Sequence, residues 1–137
     1  MKIMCDTNIF LDVLLEREPS VDDSSKILRL CEEHKLDGFV SASCVTDIFY
    51  LVRKYTHSVD MAYKAIGKVL EIVKVCSVTN NDVLMAFQRK AKDFEDCLVA
   101  TCAISIHCDH IVTRNKKDFE EFAIPILTPS ELLNQLE

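Results

Sequence analysis

The sequence predicts an α/β fold: one three-layer domain over residues 1–137, with a central parallel sheet of about four to five strands between helices. Short apolar runs alternate with longer stretches whose apolar residues recur at helical spacing, the pattern of a parallel sheet covered on both faces. No internal repeat, low-complexity segment or linker divides the chain. Its 137 residues suffice for a single well-buried core.

Ile3-Met4-Cys5 is the first strand, followed at once by Asp6-Thr7-Asn8. Ile9, Phe10, Val13 and Leu14 then recur as on a helix, which Thr7 or Asn8 can cap. Glu16 to Pro19 breaks the chain, and Val21 to Leu36 forms an amphipathic helix with a charged outer face. Asp37-Gly38 reads as a turn before the strand Phe39-Val40-Ser41-Ala42, and Ser43 can cap the helix that carries Cys44, Ile48 and Val52. A further helix opens at Ser58 or Asp60 and ends near Val73, where Val73 to Val78 is rich in β-formers. Helices over Asp82 to Ala91 and Asp93 to His107 follow; the second is nearly uncharged after Asp96 and is expected at the centre of the molecule. His110 to Thr113 is a strand, Arg114 to Phe122 a loop with a short helix, and Ile124 to Leu127 the last strand before a helix opened by Pro129.

Composition removes several function classes. Hydrophobic residues make 49% and charged residues 28% of the chain, ordinary for a globular protein. No apolar stretch reaches the roughly 18 to 20 residues that span a bilayer, and Asp6 and Asp12 interrupt the only leader-like segment. The seven cysteines are odd in number, form no Cys-x-x-Cys pair and lie mostly in apolar stretches. That argues against a disulfide framework or structural zinc and for reduced thiols in a cytoplasmic setting. A net charge of −6 argues against gripping nucleic acid by bulk phosphate neutralisation. It leaves open an enzyme whose carboxylates gather to hold cations. Two glycines in the whole chain exclude phosphate-loop and dinucleotide fingerprints.

Acidic residues at the ends of elements are therefore the candidates. Asp6 stands at the carboxyl end of the first strand, where open α/β sheets bind ligands; as a solvated loop or cap carboxylate it would have no such role. Asp47 falls on or beside the apolar stripe of its helix, held either by an arginine or backbone N–H or by a functional partner. Asp93 and Asp96 suit a helix N-terminus, and Asp96 can also point into the crevice of Asp6. Asn115 and Asp118 follow a strand end and serve either as a local cap or as further oxygen donors on the same rim. Carboxylates drawn together repel, and protonation or a hard divalent cation relieves them. Such a site hydrolyses phosphodiesters without a serine, cysteine or histidine nucleophile, and the sequence offers no convincing one.

In order, Asp6-Thr7-Asn8, Asp47 in Thr-Asp-Ile-Phe-Tyr, Asp93-Phe-Glu-Asp96 and Ile-Val-Thr-Arg-Asn115-Lys-Lys-Asp118-Phe resemble the acidic motifs of PIN domains, including VapC-like toxin ribonucleases. The resemblance runs from the first strand to Leu127. It implies a Rossmann-like sheet and a Mg2+- or Mn2+-dependent endoribonuclease, a homodimer held inactive by an antitoxin protein. Asp6, Asp96 and Asp118 are then the expected metal ligands, with Asp47 completing the catalytic set and Thr7, Asn8, Asp93, Thr113 and Asn115 in support. Arg114, Lys116 and Lys117 would track the RNA backbone, or form only a solvated basic loop. Asp47 stands where many members have glutamate and Asn115 where many have aspartate, departures that bear on a second metal. The rival expectation is a PIN-like module of weak activity that binds RNA or a protein partner.

Overall fold

β1 (Lys2–Cys5) is the axis of the fold. In the computed structural model, which describes residues 1–137, Ile3, Met4 and Cys5 are fully buried. β1 pairs in parallel with β2 (Asp37–Ser41) on one side and β4 (His110–Val112) on the other. β3 (Lys74–Cys76) and β5 (Ile126–Leu127) extend the sheet outward, giving the all-parallel order β3-β2-β1-β4-β5. The chain thus builds one half outward from β1, then returns to lay β4 against β1's other edge. Between β1 and β4 the connections depart in opposite directions, which opens a crevice at their carboxyl ends.

Two groups of helices make the outer layers. α1 (Thr7–Leu14), α2 (Val21–Glu32), α3 (Ala42–Thr56), α4 (Val59–Ile72) and α7 (Pro129–Leu136) pack on one another, and α5 (Asn80–Arg89) packs on α6 (Phe94–Ser105). α6 is the central helix its sequence predicts: Cys97 to Ala100, Cys102 and Ala103 are all buried. A short 3-10 turn, Lys116–Phe119, puts Phe119 into the core. All seven cysteines are free and buried, acting as small apolar side chains. No helix is long and apolar enough to cross a membrane.

Local chemistry moves three boundaries from their expected places. Asp6, not Thr7 or Asn8, caps α1, its carboxylate accepting from Thr7 N–H. Ser41, not Ser43, caps α3; its Oγ accepts from Cys44 N–H at 3.3 Å and pairs with Ser43 Oγ at 2.8 Å. Asp37 and Gly38 belong to β2 rather than to a turn. Gly38 is there for space: a Cβ at this position would lie 2.6 Å from Cys31 Sγ and 3.0 Å from Val73 Cγ1. Gly38→Ala is therefore expected to destabilise the fold by about 1–3 kcal/mol through overpacking, measured by urea unfolding. An unchanged midpoint would mean that α2 can yield.

An acidic site at the strand switch point

Asp6 sits where β1 ends, and its N–H donates to Val112 O at 3.0 Å, tying it to β4. Its carboxylate is held on three sides. Oδ1 accepts from Thr7 N–H at 2.8 Å, and Oδ2 accepts from Thr113 Oγ at 2.8 Å and Asn8 Nδ2 at 3.1 Å. Only 8% of Asp6 is exposed. Burial raises its pKa above the ordinary carboxylate value, the bonds from Thr113 and Thr7 oppose that, and the nearby Asp118 charge adds to it.

α6 brings the second group. Asp93 caps the helix through Asp96 N–H, 2.9 Å from its Oδ1. The Asp96 carboxyl is pushed up to about 7, chiefly by burial and then by the charges of Asp93, Asp6, Asp118 and Glu95. Glu95 is likewise pushed up to about 7, by burial first and then by the charge of neighbouring Asp47. Asp47 accepts no hydrogen bond from an arginine or a backbone N–H; Glu95 is the neighbour it meets. Residues from β1, α3, the mouth of α6 and the turn after β4 thus lie within one electrostatic neighbourhood.

Glu95 was not singled out by the sequence, because one residue from Asp96 on a helix it reads as a solvated neighbour. The run Asp93-Phe-Glu-Asp96 was itself the available signal. The basic residues divide. Arg114 Nε donates to Asp12 Oδ2 at 2.7 Å, Lys116 pairs with Glu131 at 3.1 Å, and Lys117 is exposed without an ion pair. Asn115 is exposed, and its N–H donates to Thr113 Oγ at 3.1 Å.

The site has no thiol or imidazole nucleophile. Burial first among its causes, the Cys44 thiol beside the acids is pushed up to about 11 and stays protonated at neutral pH. His34, His57 and His107 occupy left-handed backbone positions that close helices. The donor set is all carboxylate oxygen, which suits a hard divalent cation. No three of these groups stand close enough to cage an ion as they are. Mg2+ requires no such cage, since it binds through one or two carboxylates and keeps several waters.

An all-parallel sheet with acids collected at its switch point is a Rossmann-like arrangement. The family model for the PIN domain matches residues 2–117, and the chain belongs to that family. It is 27% identical over 133 residues to Ribonuclease VapC1 of Aquifex aeolicus, covering 95% of this chain and 92% of that one. Its fold matches that of DNA-bound VapBC from Salmonella typhimurium with a TM-score of 0.73 at 18% identity, over 94% of this chain and 98% of that chain. Mycobacterium tuberculosis VapC20, a Sarcin-Ricin loop cleaving toxin, matches at TM-score 0.65 and 13% identity, over 80% of this chain and 86% of that one.

Proposed function

We propose that this protein is a metal-dependent endoribonuclease that hydrolyses RNA phosphodiester bonds, the toxin of a toxin–antitoxin pair. The observation that carries the reading is the collection of Asp6, Asp47, Glu95, Asp96 and Asp118 at one rim, with Glu95 and Asp96 pushed up to about 7. Carboxylates raised by burial and by one another's charge suit relief by a cation and its phosphate ligand. Likeness to Ribonuclease VapC1 supports RNA as the substrate, and likeness to VapBC supports an antitoxin partner.

Asp6 and Asp96 would hold Mg2+ or Mn2+, with Asp118 at the exposed edge as the next donor. A divalent ion there supplies positive charge against the scissile phosphate and makes an attacking water more acidic. The chain's own groups do the rest. Thr7, Asn8 and Thr113 fix the Asp6 carboxylate, and Asp93 orients the first turn of α6 beneath Asp96. Glu95, raised to about 7 by burial and by the charge of Asp47 beside it, is placed to accept the proton of the attacking water. Lys117 is free to meet a phosphate next to the scissile one. Single-stranded or loop RNA suits the recess, because its backbone is flexible enough to enter. The protein acts in the cytoplasm as a homodimer.

Calorimetric titration with Mn2+ followed by cleavage of structured RNAs tests the reading. Saturable Mn2+ binding and cleavage abolished by chelator are expected. Tight RNA binding with neither would leave a PIN-like binding module instead.

A further inference from the structure

Asp12 is the most deeply buried acid of the molecule, with no exposed surface, yet it lies outside the rim described above. On α1, two turns along from the Asp6 cap, its Oδ2 accepts from Ser24 Oγ at 3.1 Å and from Arg114 Nε at 2.7 Å. Its Oδ1 has no partner. A carboxylate so placed depends on its partner, since acids are almost never fully buried unless paired and removing one partner leaves an uncompensated charge. From the sequence, Asp12 is only a break in an apolar run, and Arg114 is either an RNA contact or part of a solvated basic loop.

Arg114 is the middle residue of the turn that leaves β4. That turn is sewn to α1 and its cap by four hydrogen bonds, one of them a long one from Asn8 Nδ2 to Thr113 Oγ at 3.4 Å. Thr113 Oγ donates to Asp6 Oδ2 at 2.8 Å, Arg114 N–H to Asn8 Oδ1 at 3.4 Å, and Arg114 Nε to Asp12 Oδ2 at 2.7 Å. Asn115 N–H closes the turn on Thr113 Oγ at 3.1 Å. The stitch from Arg114 N–H to Asn8 is at the limit of a hydrogen bond, and the Thr113 hydroxyl is a neutral donor. The charged pair to a fully buried acceptor is the one bond of the set that fixes the turn in both direction and depth. The guanidinium is drawn down between α2 and α7, where Arg114 lines a depression of about 280 Å3 with Ser20, Asp23, Thr128 and Ser130.

We propose that Asp12 is a positioning residue: by clamping Arg114 it sets the Thr113–Asn115 turn, and the turn sets the orientation of the Asp6 carboxylate. Arg114 is then a strut of the site rather than a contact for the RNA backbone. The structural half of this inference stands alone; its consequence for cleavage rests on the nuclease reading.

The test uses the full chain with Asp12→Asn and Arg114→Lys. Amide hydrogen exchange reads the clamp directly: the Asn115 N–H is expected to exchange at least about tenfold faster in Asp12→Asn, with other amides of β4 unchanged. Mn2+ affinity by calorimetry or kcat for RNA is expected to fall about 10–100-fold, with KM within about twofold, as for partners that orient a metal ligand. Arg114→Lys keeps the charge without the planar fork and is expected to show a smaller loss than Asp12→Asn. Unchanged exchange at Asn115 in the folded variant overturns the clamp. A raised KM at constant kcat also overturns it and returns Arg114 to the substrate. If Asp12→Asn does not fold, the double variant Asp12→Asn with Arg114→Gln, which buries no lone charge, reads the same quantities. Wild-type protein that neither binds Mn2+ nor cleaves would sink the nuclease reading, and the exchange experiment would still decide the clamp.

Discussion

Asp6→Asn is expected to lower RNA cleavage at least about a thousandfold, several kcal/mol of transition-state stabilisation, while the fold survives nearly unchanged. The asymmetry comes from the environment of this one side chain. Asp6 holds the only deeply buried carboxylate of the rim, and burial disfavours its charge. An asparagine keeps the shape and removes that charge from a desolvated place. Against this, one of its two terminal atoms becomes a donor facing either Thr7 N–H or Asn8 Nδ2, which donate to Asp6 at 2.8 and 3.1 Å. The lost hydrogen bond costs about 1 kcal/mol and is offset by the relieved desolvation. Single-turnover cleavage, Mn2+ calorimetry and thermal melting of the same preparation measure the three quantities. Retained cleavage with lost Mn2+ binding would separate the metal from the chemistry and defeat the mechanism.

Why Asp6 could be found in the sequence, and Glu95 and Asp12 could not, is a matter of where each signal lies. Asp6 interrupts an apolar run at a strand end, a position read from the chain itself. The parallel sheet was legible for the same reason, since Ile3 to Cys5 and His110 to Val112 carry the β-rich apolar signal locally. Glu95 is defined by a neighbour on another element, Asp47 of α3, and no spacing rule connects residues so far apart. Asp12 depends on Arg114, 102 positions away. Gly38 shows the limit within a single element. Asp37-Gly38 has the form of a turn, and only the approach of Cys31 from α2 reveals that the glycine serves packing. Similarly Lys116 and Lys117 are equivalent as sequence, but α7 offers Glu131 to one of them alone.

Stripped of divalent ions, the protein is expected to lose stability as pH rises from about 4 towards 7, and to regain it on addition of Mn2+ only in the upper part of that range. Asp96 and Glu95 have ordinary values of 3.8 and 4.5 and are pushed up to about 7 in the fold. The folded state therefore binds more protons than the unfolded chain between those limits. Raised acids favour folding at the low end, and that advantage disappears once pH exceeds the folded value. Both groups are partly open to solvent, so screening reduces the effect, and salt is expected to diminish it further. A cation that binds only the folded, ionised cluster adds stability by mass action, with an expected rise in Tm of roughly 5 °C at pH 7.5 and almost none at pH 4.5. Asp96→Asn should flatten the apo pH profile and abolish the Mn2+ response together, read by thermal melting across pH with and without chelator. Flat wild-type melting curves, indifferent to both pH and Mn2+, would mean that the acids do not feel one another. The coupling has a mechanistic reason: the mutual repulsion that lowers the stability of the ion-free fold near neutrality is what a bound cation relieves, so the same charges strengthen its binding.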